Sequence, residues 1–303
     1  MNNRKLSKWP YIFMAPYFIC FMMFFIYPTI YSFVISLTDW DSLKGASQRK
    51  FIGLANYVRL FTKDKLFLKS LGNTAFLMII YIPILIILGL LLAMLLYRLK
   101  RTSRIFQTVN VLPYITTPVA IGIIFSFLFD WSTGIVNTAL IKLGILETGI
   151  NWLGDGGRAR FVVILLIIWK NLGYYLLIYL AGLATVPEEV SEAAMVDGAN
   201  KLQVFRHITL PFIRPITVFL ILTSVVSGFQ LFDEPYLLFS NVQSPIGGPE
   251  RACLTSMMYF FDQTFKSSTH LGYGAAVSYG LFMIILICST LISKVLFRKE
   301  KGE

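Results

Sequence analysis

From Leu71 to Tyr97 the chain carries no charged side chain, and Leu, Ile and Met make up most of the stretch. A helix needs about 20 such residues to cross the hydrocarbon of a bilayer. Inside that hydrocarbon no water satisfies backbone N–H and C=O groups, so only a helix or a closed barrel can span it. Barrel strands would read as short segments of alternating polarity, whereas these runs are continuous. Comparable runs recur along the chain, at about residues 11–37, 105–129, 161–183, 212–232 and 272–296. The expectation is an all-α, polytopic integral membrane protein with six transmembrane helices, residues 1–303 forming one domain. Hydrophobic residues are 56% of the chain and charged residues 14%, too apolar a balance for a soluble protein of 303 residues to bury in a single core.

The formal net charge of +11 invites a nucleic-acid reading, but the basic residues fall mostly between apolar runs. There they act as topology signals and headgroup contacts. With six spans both termini share a side with the 98–104 turn and the 185–211 segment. That side holds Arg4, Lys5, Lys8, Arg98, Lys100, Arg101, Arg104, Lys201, Arg206, Arg214, Lys294, Arg298, Lys299 and Lys301. The opposite side is also basic, with Lys44, Arg49, Lys50, Arg59, Lys63, Lys65 and Lys69 in its first loop. Density in short loops tilts the balance only slightly toward cytoplasmic termini. The basic N-terminus before an apolar run has the outline of a secretion signal, but the run is too long for one and lacks a small-residue cleavage site. It reads as a retained span. Cys20, Cys253 and Cys288 are odd in number and widely spaced, which supports neither a disulfide framework nor a metal site.

Residues 185–211 lie between two apolar runs yet carry Glu188, Glu189, Glu192, Asp197, Lys201, Arg206 and His207. Thr185 with Glu188 has capping-box spacing, and Pro187 falls in the first turn. Gly198 is placed to end that helix and Asn200, with Gln203, to cap a second short one that Pro211 ends. The pattern predicts helix, sharp turn, helix, outside the bilayer.

Polar side chains inside spans mark either a solute path or close helix packing. Lys170, Asn171, Tyr174 and Tyr175 cluster in the fourth run. In the fifth, Thr223, Ser227 and Gln230 step by four and three, with Ser224 and Gly228 forming an adjacent stripe. Hydroxyls and amides interleaved with aromatic rings suit a neutral polyol such as a sugar. The ammonium of Lys170 is costly within a span; it either snorkels to the interface or pairs with Asp233 or Glu234. Pro113 and Pro118 in the third run bend a helix around a pathway or merely kink its packing.

Catalytic patterns are lacking. No G-x-x-x-x-G-K-[ST] phosphate loop occurs, so ATP hydrolysis is not expected of this chain. His207 and His270 are the only histidines, which excludes an H-E-x-x-H helix, and there is no G-x-S-x-G elbow.

Glu192-Ala193-Ala194, then Gly198, Ile208 and Leu210-Pro211, resemble the EAA loop of the membrane subunits of ATP-binding-cassette importers. The string from Phe51 to Tyr57, Trp169 to Tyr174, Leu180 to Leu183, Phe232 to Tyr236 with Gly247-Gly248-Pro249, and Gly272 to Ser278 resemble the carbohydrate branch of these permeases. The resemblance implies the type I importer permease fold and a multi-pass position in a bacterial cell membrane. It implies a second homologous permease completing a heterodimer, separate ATP-binding subunits carrying ATP and Mg, an extracytoplasmic solute-binding protein, and no cofactor or metal on this chain. By that likeness Glu192, Ala193, Ala194, Asp197, Gly198, Phe205, Ile208, Leu210 and Pro211 form the ATPase-coupling loop. Small side chains there let a partner approach the backbone, Val190, Met195, Leu202 and Phe205 offer apolar contact, and Glu192 a salt bridge. The candidates for the substrate path are Asn171, Tyr174, Tyr175, Ser224, Ser227, Gly228 and Gln230. A glycerol-phosphate or amino-acid permease shares the loop, and an ion-coupled secondary transporter is the rival class.

Overall fold

The computed structural model describes residues 9–41, 43, 49–99, 103–239, 244–266 and 270–297. The topology signals at Arg4, Lys5, Lys8, Lys44, Lys100, Arg101, Arg298, Lys299 and Lys301 lie outside these residues. Among the described residues the chain is helical, and its one extended pairing is an isolated antiparallel bridge between Thr38 and Phe51. Five helical stretches are long and apolar enough to cross a membrane: Tyr11–Ser36, Lys65–Tyr97, Gly156–Leu183, Lys201–Phe229 and Leu271–Leu296.

The sixth expected span is not one helix. α5 (Ser103–Ile115) and α6 (Pro118–Leu128) meet at 96°, so the count is six only if this bent pair is one span. The cause is local. A residue before proline is pushed out of the α region, and Thr117 accordingly sits at φ −61°, ψ 137° with Pro118 opening the next helix. Pro113 lies inside α5 without ending it.

By contacts the chain divides into two compact units, residues 1–65 with 260–282 and residues 66–259 with 283–303. In the first, α1 (Trp9–Phe21) runs through a π turn at Met22–Ile26 into α2 (Tyr27–Ser36), and α3 (Ala55–Thr62) follows. Asn56, of the 51–57 string, is buried and donates its amide to the carbonyls of Ser36 and Thr38, both at 2.9 Å. The Arg59 guanidinium lies 4.4 Å from the centre of the Tyr273 ring, whose hydroxyl donates to Asp64.

The second unit holds α4 (Lys65–Arg98), α5, α6, α7 (Ile135–Lys142) and α8 (Gly156–Leu183). It continues with α9 (Glu188–Val196), α10 (Lys201–Val204), α11 (Leu210–Phe229), α12 (Asp233–Leu238), most of α13 (Ser256–Phe261) and the later turns of α14 (Leu271–Phe297). Its core gathers Leu77, Leu85, Ile121, Leu166, Leu176 and Leu220, all essentially inaccessible. Two glycines permit the closest approaches. A Cβ on Gly89 would stand 2.7 Å from the Tyr175 Cβ, and one on Gly173 would run into the carbonyl of Asn110, so α8 packs directly on α4 and on the backbone of α5.

Candidate functional site

The 185–211 segment folds as helix, turn, helix, with caps that differ from those the spacing predicts. Thr185 forms no capping box. Its hydroxyl donates back to the Gly182 carbonyl at 2.7 Å, and Pro187 occupies the N-cap of α9 without a side-chain hydrogen bond. Glu188 and Glu189 fill the first turn, where negative charge faces the positive end of the helix. Gly198, at φ +90°, ends α9 as expected: its N–H reaches Met195 O at 3.1 Å and the next N–H, of Ala199, reaches Ala194 O at 2.9 Å. These two bonds are the Schellman arrangement. Asn200 and Gln203 make the reciprocal box that opens α10.

Pro211 does not end the second helix. A π turn at Phe205–Thr209 links α10 to α11, and the Leu210 N–H bonds to Phe205 O, five residues back. A proline lacks the N–H that the carbonyl four residues earlier needs; the wider register takes up that mismatch, and one rod runs from Lys201 to Phe229.

No residue of α9 or α10 is buried. Val196 is 87% exposed and Leu202 72%, apolar side chains held in the open on a polar elbow. Ala194, Asp197, Gly198 and Ile208 line one hollow between α9 and the π turn. Glu192 borders another, with Met94, Tyr97 and Met195, and Phe205 a third, with Met94 and Met195. Ala193, Leu210 and Pro211 are exposed outside these hollows.

The polar residues of the spans converge on a cavity of about 350 Å³. Asn171, Tyr174 and Tyr175 from α8, Ser224 and Ser227 from α11, and Gln230 just past its end all line it. Gly228 does not. A Cβ there would strike the Met78 side chain and lie 2.6 Å from the Tyr81 hydroxyl, so this glycine serves helix packing. Sequence reasoning missed Tyr81 and Tyr114, which also line the cavity. Tyr114 stacks on Tyr174 with ring centres 5.1 Å apart. Its position one residue after Pro113, where α5 nears its break, was the available signal.

Lys170 neither snorkels nor pairs with Asp233. Its ammonium meets Glu234 Oε1 at 2.5 Å, with the two side chains only 12% and 11% exposed. Asp233 and Glu234 are the charged residues on the cavity wall.

Spans of membrane length, an exposed helix–Gly–helix elbow and a polar cavity between helices define an integral membrane transport component. The family model described as "Binding-protein-dependent transport system inner membrane component" matches residues 85–301, and the chain belongs to that family. Its curated relatives include the arabinooligosaccharides transport system permease protein AraP of Bacillus subtilis, 36% identical over 97% of this chain and 90% of that protein. The lactose transport system permease protein LacF of Rhizobium radiobacter is 34% identical over 93% and 91%. The sn-glycerol-3-phosphate transport system permease protein UgpA of Yersinia pestis is 30% identical over 97% and 96%. Among solved structures, a bacterial ABC transporter involved in import of the acidic polysaccharide alginate shares the fold, with TM-score 0.81 over 96% of both chains at 22% identity. The family read from the EAA-like loop is therefore the family of the chain.

Proposed function

We propose that this chain is one permease subunit of an ATP-driven importer that carries a sugar or oligosaccharide into a bacterial cell. Residues 1–303 act as one permease domain, paired with a second, homologous permease, and an extracytoplasmic binding protein delivers the solute. Both termini and the 185–211 elbow face the cytoplasm. There Glu192 and the small residues around Gly198 seat a separate ATPase, which holds the ATP and Mg while this chain binds no cofactor. Nucleotide binding to that motor favours one of two arrangements of the spans, and transport follows from the shift.

The observation that carries the reading is the chemistry of the cavity wall: hydroxyls, amides and stacked tyrosines, the groups that hydrogen-bond to a polyol and cover the face of its ring. Relatives named for arabinooligosaccharides and lactose support it. The test is to reconstitute the importer with its neighbouring subunits and measure ATP-dependent uptake of labelled arabinotriose, lactose, glycerol 3-phosphate and a mixture of amino acids. Uptake of a sugar is the expected result. Uptake of amino acids alone, or uptake that survives ATP depletion and collapses with an uncoupler, would overturn it.

A further inference from the structure

The serine and threonine hydroxyls on the cavity wall donate back to their own helix. Thr223 Oγ1 donates to Phe219 O and Ser227 Oγ to Thr223 O, each at 2.9 Å, and Ser224 Oγ donates to the backbone of its own helix while contacting the Tyr175 hydroxyl. Asn171 likewise directs its amide N–H to Ile167 O at 2.8 Å. A hydroxyl or amide that donates locally still has lone pairs to offer, so the stripe from Thr223 to Ser227 presents acceptors, while the Tyr114 and Tyr174 hydroxyls and the Gln230 amide supply donors on the same wall. Among the described residues, the charged groups on the wall are both carboxylates, Asp233 and Glu234, and no lysine or arginine lines it.

The two carboxylates are placed differently. Glu234 is buried and held by Lys170, whereas Asp233, beside it in the first turn of α12, is exposed. Among the described residues Asp233 has no hydrogen-bond or ion-pair partner. α12 follows α11 after only three residues and packs against α6, where a Cβ on Gly122 would lie 2.6 Å from the Leu237 Cβ. The Lys170–Glu234 bridge ties the same short helix to α8.

We propose that Asp233 is a specificity-determining residue of the translocation path, and that the Lys170–Glu234 pair positions it. The free carboxylate accepts hydrogen bonds from solute hydroxyls and, with no cation beside it among the described residues of the wall, turns away anionic solutes. The pair neutralises Glu234, leaving one net negative charge, and fixes the helix that carries Asp233. The inference rests on the sugar-importer reading and narrows it to neutral, hydroxyl-rich solutes. A phosphate or uronate brings negative charge, which Asp233 repels and no cation among the described residues of the wall offsets.

The test uses the complete importer in lipid nanodiscs, without the binding protein so that this protein's own selectivity does not mask the path. Saturation-transfer NMR is read with lactose, arabinotriose, glycerol 3-phosphate and digalacturonate as probes. The wild type is expected to bind a neutral sugar and neither anion. Asp233→Asn, which removes the charge and keeps the size, should weaken sugar binding about tenfold, because charge-assisted hydrogen bonds are about twice as strong as neutral ones. It should also raise binding of glycerol 3-phosphate, an opposite movement that a misfolded site would not produce. Lys170→Glu and Glu234→Lys should each lose sugar binding, and the double swap should regain most of it. Sugar bound equally by wild type and Asp233→Asn would overturn the role of Asp233 and leave the sugar reading standing. A double swap no better than either single variant would overturn the positioning role. A wild type that binds glycerol 3-phosphate and neither sugar would overturn both readings.

Discussion

The guanidinium of Arg214 donates through Nη2 to the carbonyl of Leu296 at 3.0 Å, joining the first turns of α11 to the last turn of α14. The final four carbonyls of a helix have no partner within it, and a cation beside them also meets the negative end of the helix dipole. Arg214→Ala should therefore cost about 1–3 kcal/mol, and Arg214→Lys, which keeps the charge without the fork, should recover part of it. Thermal unfolding in detergent measures this. A midpoint for Arg214→Ala equal to that of the wild type would show that water replaces the guanidinium without loss.

Gly198 separates conformational cost from steric cost. A Cβ placed there meets nothing within 4 Å, so a substitution is disfavoured by the φ of +90° alone. For an L-residue other than Asn or Asp that conformation costs about 1–2 kcal/mol. In the reconstituted importer, coupling of ATP hydrolysis to uptake should fall in the order wild type, Gly198→Asn, Gly198→Ala, Gly198→Val. Equal coupling in all four would mean that the sharp turn between α9 and α10 is not what transmits the motion.

Five of the spans and the elbow were legible because they follow from length, polarity and two local signals, whereas the 96° break before Pro118 was not. Gly198 has no rival for a left-handed turn, and Asn200 with Gln203 has no rival for the cap of α10. Thr185 was misread because its hydroxyl had two acceptable partners, and the end of α8 lies nearer than the start of α9. Pro211 was misread because a π turn lets a helix absorb a proline, and nothing in the residues from Phe205 to Thr209 announces that register. The partner of Lys170 could not be read at all. Asp233 and Glu234 are adjacent, and only the rotation of α12 about its axis decides which carboxylate faces α8. For the cavity, the stripe from Thr223 to Gln230 was readable by its spacing. Tyr81 was not, since one tyrosine in an apolar span looks the same whether it borders a cavity or fills a core.

Cys253 offers a check on the packing outside the spans. Burial pushes its thiol up to about 12, with the nearby Arg160 pulling weakly the other way. A raised value means that the neutral thiol persists throughout the ordinary range, and only the thiolate attacks a maleimide. In a variant carrying Cys20→Ser and Cys288→Ser, labelling of the folded protein should be negligible at pH 7 and still slow at pH 8.5, then complete after SDS. Labelling of the folded protein at pH 8.5 as fast as that of the unfolded chain would contradict the burial.

Asn137, only 3% exposed, joins the segments before and after α7 through both ends of its amide. Its Nδ2 donates to Trp131 O at 3.0 Å and Ile150 O at 2.9 Å, while its Oδ1 accepts from the Ile150 N–H at 3.2 Å and from the Trp152 Nε1 at 2.8 Å. Asn137→Ala strands these groups, and each buried one left unpaired costs about 1–3 kcal/mol. Asn137→Asp is the sharper test, since it preserves shape and the accepting oxygen but sets a second oxygen against two carbonyls. Those carbonyls oppose ionisation, so the introduced carboxyl should titrate above its usual range. In this variant the unfolded chain ionises first as pH rises, so the variant should be most stable below the ordinary carboxylate value and lose stability as pH climbs through the raised one. Protease resistance of the 130–152 loop, followed from pH 4 to pH 8, measures the effect. A profile for Asn137→Asp that is flat and equal to that of the wild type would mean that the amide donors do not hold the loop.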